Sequence, residues 1–270
     1  MLSEDTKLPL LEDGYHTQYY TNEGTKNIYR EFSTMNGVLH GSFKQYTLSK
    51  VIIIKAHYDN GTLDGKYEEK YEDGSRKISG WFSDGEPHKK FLTYYDSGNI
   101  KTLSVFDRDG RRHGTTIEYF DGDKNQVKMR IKYQNGDKHG RATKHFYNGK
   151  LALEANFEND KLHGDYIRYY PTGIVRVQCE FINGYLHGKY IAKYPSGAPL
   201  RVLFFNKGQL HGRALFLHQG NIPKASCEFS QGQLNGIYKS FDGNGKISEK
   251  KTYYENLLID IESSGFSLEA

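Results

Sequence analysis

Six of the eleven histidines stand in one dipeptide: His40-Gly41, His113-Gly114, His139-Gly140, His163-Gly164, His187-Gly188 and His211-Gly212. Imidazole is the commonest metal ligand and the side chain that titrates nearest neutrality, so such a row invites zinc chemistry. The spacing argues against it. Degenerate copies at Asp64-Gly65, His88-Lys89 and Asn235-Gly236 complete a series with steps of 24, 24, 25, 26, 24, 24, 24 and 24 residues. A dipeptide that returns at a fixed period belongs to a repeat scaffold. Equivalent residues two strands apart lie about 9–10 Å from each other, whereas zinc takes nitrogens at about 2.0–2.1 Å. No metal site is expected. A polar side chain bonded to backbone beside a turn explains why Asp64 and Asn235 can stand in the row.

Cys179 and Cys227 are the other reactive groups. They are 48 residues apart, at one place in the unit. Two strands per unit would separate them by roughly 19 Å, far beyond the reach of a disulfide, about 7 Å between Cα atoms. Free thiols are expected, with the parity of core residues, and they point to a reducing, cytoplasmic compartment. His57, His145, His218 and the lone Trp81 fall outside the row, and nothing in the sequence ties them to an acid, base or nucleophile. No catalytic residue, no cofactor and no enzyme activity are expected. The glycines recur in phase with the unit, so they read as turns rather than phosphate loops.

The elements that carry this row follow from two turn signals per unit. One falls mid-unit: Asp73-Gly74, Ser97-Gly98, Asn148-Gly149, Thr172-Gly173 and Ser196-Gly197. The other closes the unit and assigns structural turn roles to Gly37, Gly61, Gly85, Gly110, Gly136, Gly184, Gly208 and Gly232. Asn-Gly and Asp-Gly favour two-residue hairpin turns that need positive φ. Aromatic and β-branched residues alternate between them, as in consecutive hairpins. By parity Leu63, Gly65, Tyr67 and Tyr71 share one face, and so do Val175, Val177, Cys179 and Phe181. The place two before the ring is small in most units: Ala56, Gly80, Ser104, Ala155, Cys179 and Cys227. The extra residues of the longer steps fall beside Asp109-Gly110 and around Asp121-Gly122-Asp123-Lys124, because turns tolerate insertions and strands do not.

The bulk composition agrees. Hydrophobic residues are 36% of 270, and 22 tyrosines must supply much of the buried area. The charge of +4 is finely interspersed, which argues against nucleic acid as a partner. Neither a secretory signal nor an apolar run long enough to span a membrane is visible. The expected fold is all-β: an elongated single-layer antiparallel sheet of tandem β-hairpins. Residues 1–13 form an N-terminal extension, 14–254 the array, and 255–270 a C-terminal cap with Phe266 against the last hairpin. Nine units of two strands would extend about 86 Å before twist.

The unit Phe181-Ile182-Asn183-Gly184-Tyr185-Leu186-His187-Gly188-Lys189-Tyr190, followed by an aromatic pair and a second glycine turn, resembles the MORN repeat. It is most similar to the relaxed bacterial and viral branch, some members of which are described as antitoxin-like. The resemblance spans about residues 14–254. It implies a twisted single-layer sheet of hairpins with a groove, and a role in scaffolding, self-association or membrane-proximal targeting. The better-known form opens on a tyrosine-glycine pair where this chain has Leu-His-Gly. The expected function is a non-enzymatic scaffold for a protein partner. The alternatives are an antitoxin-like protein that neutralises a toxin, and a peripheral membrane module for anionic lipid head groups. Tyr94, Tyr119 and Tyr169 share one place in three units, on the parity opposite the Leu/Gly face, and are the expected interaction surface.

Overall fold

The computed structural model describes residues 11–21, 26–122 and 125–263. The chain divides into two compact units, Met1–Asp137 and Lys138–Ala270. In each, consecutive strands pair antiparallel in chain order: Ile28–Met35 with Val38–Tyr46 and that with Ile52–Asp59 in the first, Lys161–Tyr169 with Val175–Ile182 and that with Tyr185–Lys193 in the second. No helix occurs among the described residues. The stretch ahead of the first His-Gly is a hairpin too, Gly14–Tyr19 against Ile28–Met35. The tail forms a last strand, Leu257–Ser263, on Ile247–Tyr254. Gly24, Asp123-Lys124 and Phe266 lie outside the described residues.

The two turns of a unit differ in kind. Asn183 and Gly184 both take positive φ, 51° and 86°, the two-residue turn whose twist matches its strands. All eight closing glycines named from the sequence have positive φ. At Asp109-Gly110 only the glycine does, and the Asp107 amide donates to the Arg111 carbonyl across three residues. The extra residue of the 25-residue step is therefore absorbed in the loop, as expected. The mid-unit turns depart from the two-residue expectation. The Tyr71 amide donates to Ser75 O and the Gly74 amide to Tyr71 O, both at 2.9 Å, with Gly74 alone at positive φ. This is a three-residue loop with a glycine bulge, and it shifts the register by one residue beside it, as between Arg168 and Tyr169.

The His-Gly dipeptide is a second bulge. Phe157 pairs with Leu162 and Ala155 with Tyr166, so the one residue between them on one strand, Asn156, opposes three on the other. The row histidine itself stays in the ladder, as His187 does opposite Glu180, so the surplus is the glycine and the residue after it, and Gly164 has φ 86°. Because the surplus is even, Leu162 and Tyr166 stay on one face. Eight of the nine copies keep glycine here; the ninth, Lys89, is held at φ 60° with its ammonium 5.6 Å from the Trp81 ring centroid. A Cβ at such a φ costs about 1 kcal/mol. Lys89→Gly is expected to be more stable than Lys89→Ala by about that amount, since both lose the ammonium and only glycine relaxes; thermal denaturation of the pair checks it.

Burial concentrates on one face. In the first unit Phe32, Phe43, Ala56, Leu63 and Tyr67 form one cluster; in the second Leu203, Ala214 and Cys227 form another. Large and small residues oppose each other across strands: Phe43 with Ala56, Tyr67 with Gly80, Phe91 with Ser104, Tyr166 with Cys179. Rings meet edge to face along this row, Tyr67–Phe82 at 5.5 Å and Tyr166–Phe181 at 5.4 Å. Cys179 and Cys227 are buried free thiols filling the small place. Burial pushes the Cys179 thiol up to about 11 and raises that of Cys227, which disfavours the thiolate at both.

Successive repeats are tied at both edges. At the closing turns the Gly184 amide donates to Leu162 O at 2.8 Å and Gly208 to Leu186 O at 2.8 Å. At the mid-unit edge the Tyr71 hydroxyl donates to Tyr94 O, Tyr170 to Lys193 O at 2.8 Å and Tyr194 to Leu217 O at 2.9 Å. Phe120 and Phe146 occupy this place elsewhere, so the ring alone is accepted. Tyr170→Phe is expected to cost about 1 kcal/mol, read as a melting temperature lower by roughly 2–4 °C.

Candidate functional site

The row histidines serve the bulge. Its constant anchor is a backbone amide: Asp64, His113, His211 and Asn235 each donate the main-chain N–H to the neighbouring strand at 2.9 Å. The expected side-chain bond to backbone is made by His88, Nδ1 with Asp107 O at 3.1 Å, and by Asp64, whose Oδ2 accepts the Asp84 amide at 3.3 Å. His40 and His163 lie 3.2 Å from Asp59 and Glu158, but neither Nδ1 has hydrogen-bonding geometry there. Since the main chain makes the bond, the side chain is free to vary. His187→Asn is expected to change stability by under about 0.5 kcal/mol. Gly184→Val, a β-branched residue at φ 86°, should cost about 2 kcal/mol or more. Paired urea titrations read both; a costlier histidine change would contradict the backbone anchor. Among the described residues no three of His, Cys, Asp and Glu are placed to hold a metal ion.

The three tyrosines do not make one exposed ladder. Tyr94 is buried, 7% exposed, paired with Ile100 and covered by the Arg76 guanidinium at 6.0 Å. Tyr169 is half-buried and its hydroxyl donates to Glu154 at 2.6 Å. Burial and then this bond push the phenol up to about 12, and the same bond holds the Glu154 carboxyl low. Tyr46 and Glu31 repeat the arrangement at 2.5 Å, with Tyr46 pushed up to about 12. Tyr119 is half-buried, and its carbonyl accepts the Tyr95 hydroxyl at 2.9 Å. The physical reason is the one-residue register shift between Thr93 and Tyr94, which breaks the parity from which an outward face was expected.

A groove lies on the core face of the first unit. It encloses about 770 Å³ between the rings of Tyr58, Tyr67, Phe82 and Phe91. Val38, Leu63 and Ile78 add aliphatic wall, and the closing turns of Gly37, Gly61 and Gly85 form its rim. Gly80 makes room for it: a Cβ there would stand 2.3 Å from Phe91 Cδ2. Among the described residues Glu69 is the single charged side chain in the lining. Its Oε1 takes the Lys77 ammonium at 2.6 Å and its Oε2 the Tyr67 hydroxyl at 3.2 Å. Burial, then the carboxylate's charge, raise the Tyr67 phenol well above its usual value, and burial raises that of Tyr58. Sequence reasoning missed this site, although Glu69 has the parity of Leu63 and Tyr67, and an acid on a core face is a signal.

The model of the MORN repeat variant matches residues 138–159, 162–183 and 234–256. None of the curated proteins matches the chain. A solved structure described as "Crystal Structure of TcdB2-TccC3-Cdc42" overlays 89% of this chain and 17% of that chain, at 10% identity and a TM-score of 0.21, too loose a likeness to carry an argument. The matched stretches each run from one hairpin turn to the next through the glycine bulge, and with the period of the whole series they make this chain a MORN repeat protein.

Proposed function

We propose that this repeat array is a scaffold that holds a partner protein, with the groove of the first unit as the seat. The role is one of holding rather than of catalysis, as is general for this repeat module. The observation that carries it is the groove itself: about 770 Å³ of ring-lined wall present where the repeat departs from its own regularity. Aromatic side chains give large contact area at low entropy cost and dominate the energetics of protein recognition.

The test uses two groove positions that are exposed enough to change without disturbing the core, Val38 and Thr62. Tyr185, 61% exposed, holds the place of Val38 in the second unit and serves as control. Proteins retained by the immobilised chain are quantified by mass spectrometry for wild type, for Val38→Arg with Thr62→Arg, and for Tyr185→Arg. A specific partner lost at least tenfold by the double variant and kept by the control supports the groove. Equal recovery with the double variant overturns it.

A further inference from the structure

We infer that the groove selects a partner segment that is apolar and basic at once, with Glu69 receiving its cation. This rests on the groove being the seat of the partner. Glu69 pairs in register with Ile54 on one side and Ile78 on the other, and its side chain is only 21% exposed. The scaffold does not require an acid there. The same place holds Gln45, Thr93, Ala192 and Phe216 in other units, and an acid once more at Glu118, which takes the Lys128 ammonium at 2.6 Å as Glu69 takes that of Lys77. A carboxylate among apolar neighbours is costly unless it is paired, and one that the fold can do without points to a ligand.

Glu69 has bonding capacity left. A carboxylate accepts about four hydrogen bonds, and this one takes Lys77 on Oε1 and a long contact from Tyr67 on Oε2. Lys77 stays on the mid-unit edge, with its ammonium 5.8 Å from the Tyr71 ring centroid. An entering cation would meet Oε2 beside the Tyr67 hydroxyl, in a groove lined by aromatic rings, which attract cations.

The surroundings carry the same sign. Residues 59–86 hold eight Asp and Glu against four Lys and Arg, a local charge of −4 within a chain of +4. Asp84 stands next to Gly85 on the rim, exposed, and Asp59 one residue from the Asn60-Gly61 turn. A basic segment would be drawn to this part of the chain before contact is made. The rings and aliphatic wall demand apolar side chains on either side of the cation.

The probe is a fluorescein-labelled dodecapeptide of alternating leucine and serine with one central arginine, and its twin with citrulline, the neutral isostere. Fluorescence anisotropy against the full chain is expected to give at least tenfold tighter binding for the arginine peptide at 50 mM salt, and a smaller ratio at 300 mM. Glu69→Gln should bring the ratio to about one. Asp84→Asn, which puts at that turn the residue found at Asn36, Asn60, Asn135 and Asn183, should lower it about twofold and guards against a folding defect at Glu69. An unchanged ratio in Glu69→Gln, or no preference in wild type, overturns the selection of a basic segment. Loss of both peptides in Val38→Arg with Thr62→Arg would then leave the groove reading standing. Binding of neither peptide by wild type counts against both.

Discussion

Replacing Phe32 by alanine is expected to destabilise the first unit by about 3–5 kcal/mol, with its melting temperature lowered by roughly 10 °C or more. Phe32 is 0% exposed, the one large side chain among the described residues that is fully buried. It pairs in register with Phe43, at 6.5 Å between ring centroids, and stacks on His16 at 5.3 Å. The Arg30 guanidinium lies 5.6 Å from its ring. A one-layer sheet has a thin interior, so a single ring makes up more of it than in a sandwich, where a second layer can settle into the void. Here the ladder bonds of Gly14–Tyr19 and Val38–Tyr46 hold both neighbouring strands at fixed spacing, and the cavity cannot collapse. Calorimetry of Phe32→Ala beside Cys179→Ala, which removes only a sulfur from the second unit's row, reads the contrast. A loss under 1 kcal/mol at Phe32 would mean that this face is not where the unit's stability lies.

The period was legible because each unit spends its glycines where the backbone demands them. A side chain at Gly184 or Gly164 would have to sit at φ 86°, so the dipeptides mark two separate devices, a closing turn and a bulge. Parity holds across the bulge for a numerical reason: two surplus residues leave the face unchanged, so Leu63 and Tyr67 are both buried as expected. It failed at the mid-unit loop, where one strand advances one residue while its partner advances two, as Tyr94 and Thr93 show against Ile100 and Thr102. Asp-Gly and Ser-Gly fit both a two-residue turn and a three-residue loop, and only the loop shifts the register. Parity alone therefore places Tyr94 opposite the Leu/Gly face, and the shift leaves it buried. The groove was hidden for a different reason. A sequence of repeats invites averaging, and the site lies in two departures from the average, Glu69 on a core face and Gly80 opposite a ring. Both stand in the sequence, but what they do depends on how Phe91 sits, which neither period nor parity fixes.

Gly80→Ala should be destabilising, against the usual sign. In a strand interior alanine generally gains about 0.5–1 kcal/mol over glycine, because glycine surrenders more chain entropy on folding. Gly80 is not among the positive-φ residues, so backbone strain is no obstacle. The obstacle is space: its Cβ would stand 2.3 Å from Phe91 Cδ2 and 2.7 Å from Cε2. Phe91 cannot simply swing away, since it meets Phe82 edge to face at 5.9 Å and Phe106 at 6.0 Å. Overpacking of this kind costs about 1–3 kcal/mol for a methyl group, and Gly80→Val should lie at or beyond the upper end. The double-mutant cycle isolates the cause. Gly80→Ala in a Phe91→Leu background removes the clashing ring atoms, so the two changes should couple favourably by about 1–2 kcal/mol, and alanine at 80 should recover its ordinary advantage there. The ring also walls the groove. Gly80→Ala in wild type is therefore expected to weaken binding of both dodecapeptides together, without changing their ratio. That separates a reshaped wall from the charge at Glu69. Neutral Gly80→Ala stability, or additive single changes, would show that volume exchange across Tyr67, Gly80 and Phe91 is not what selects glycine at this place.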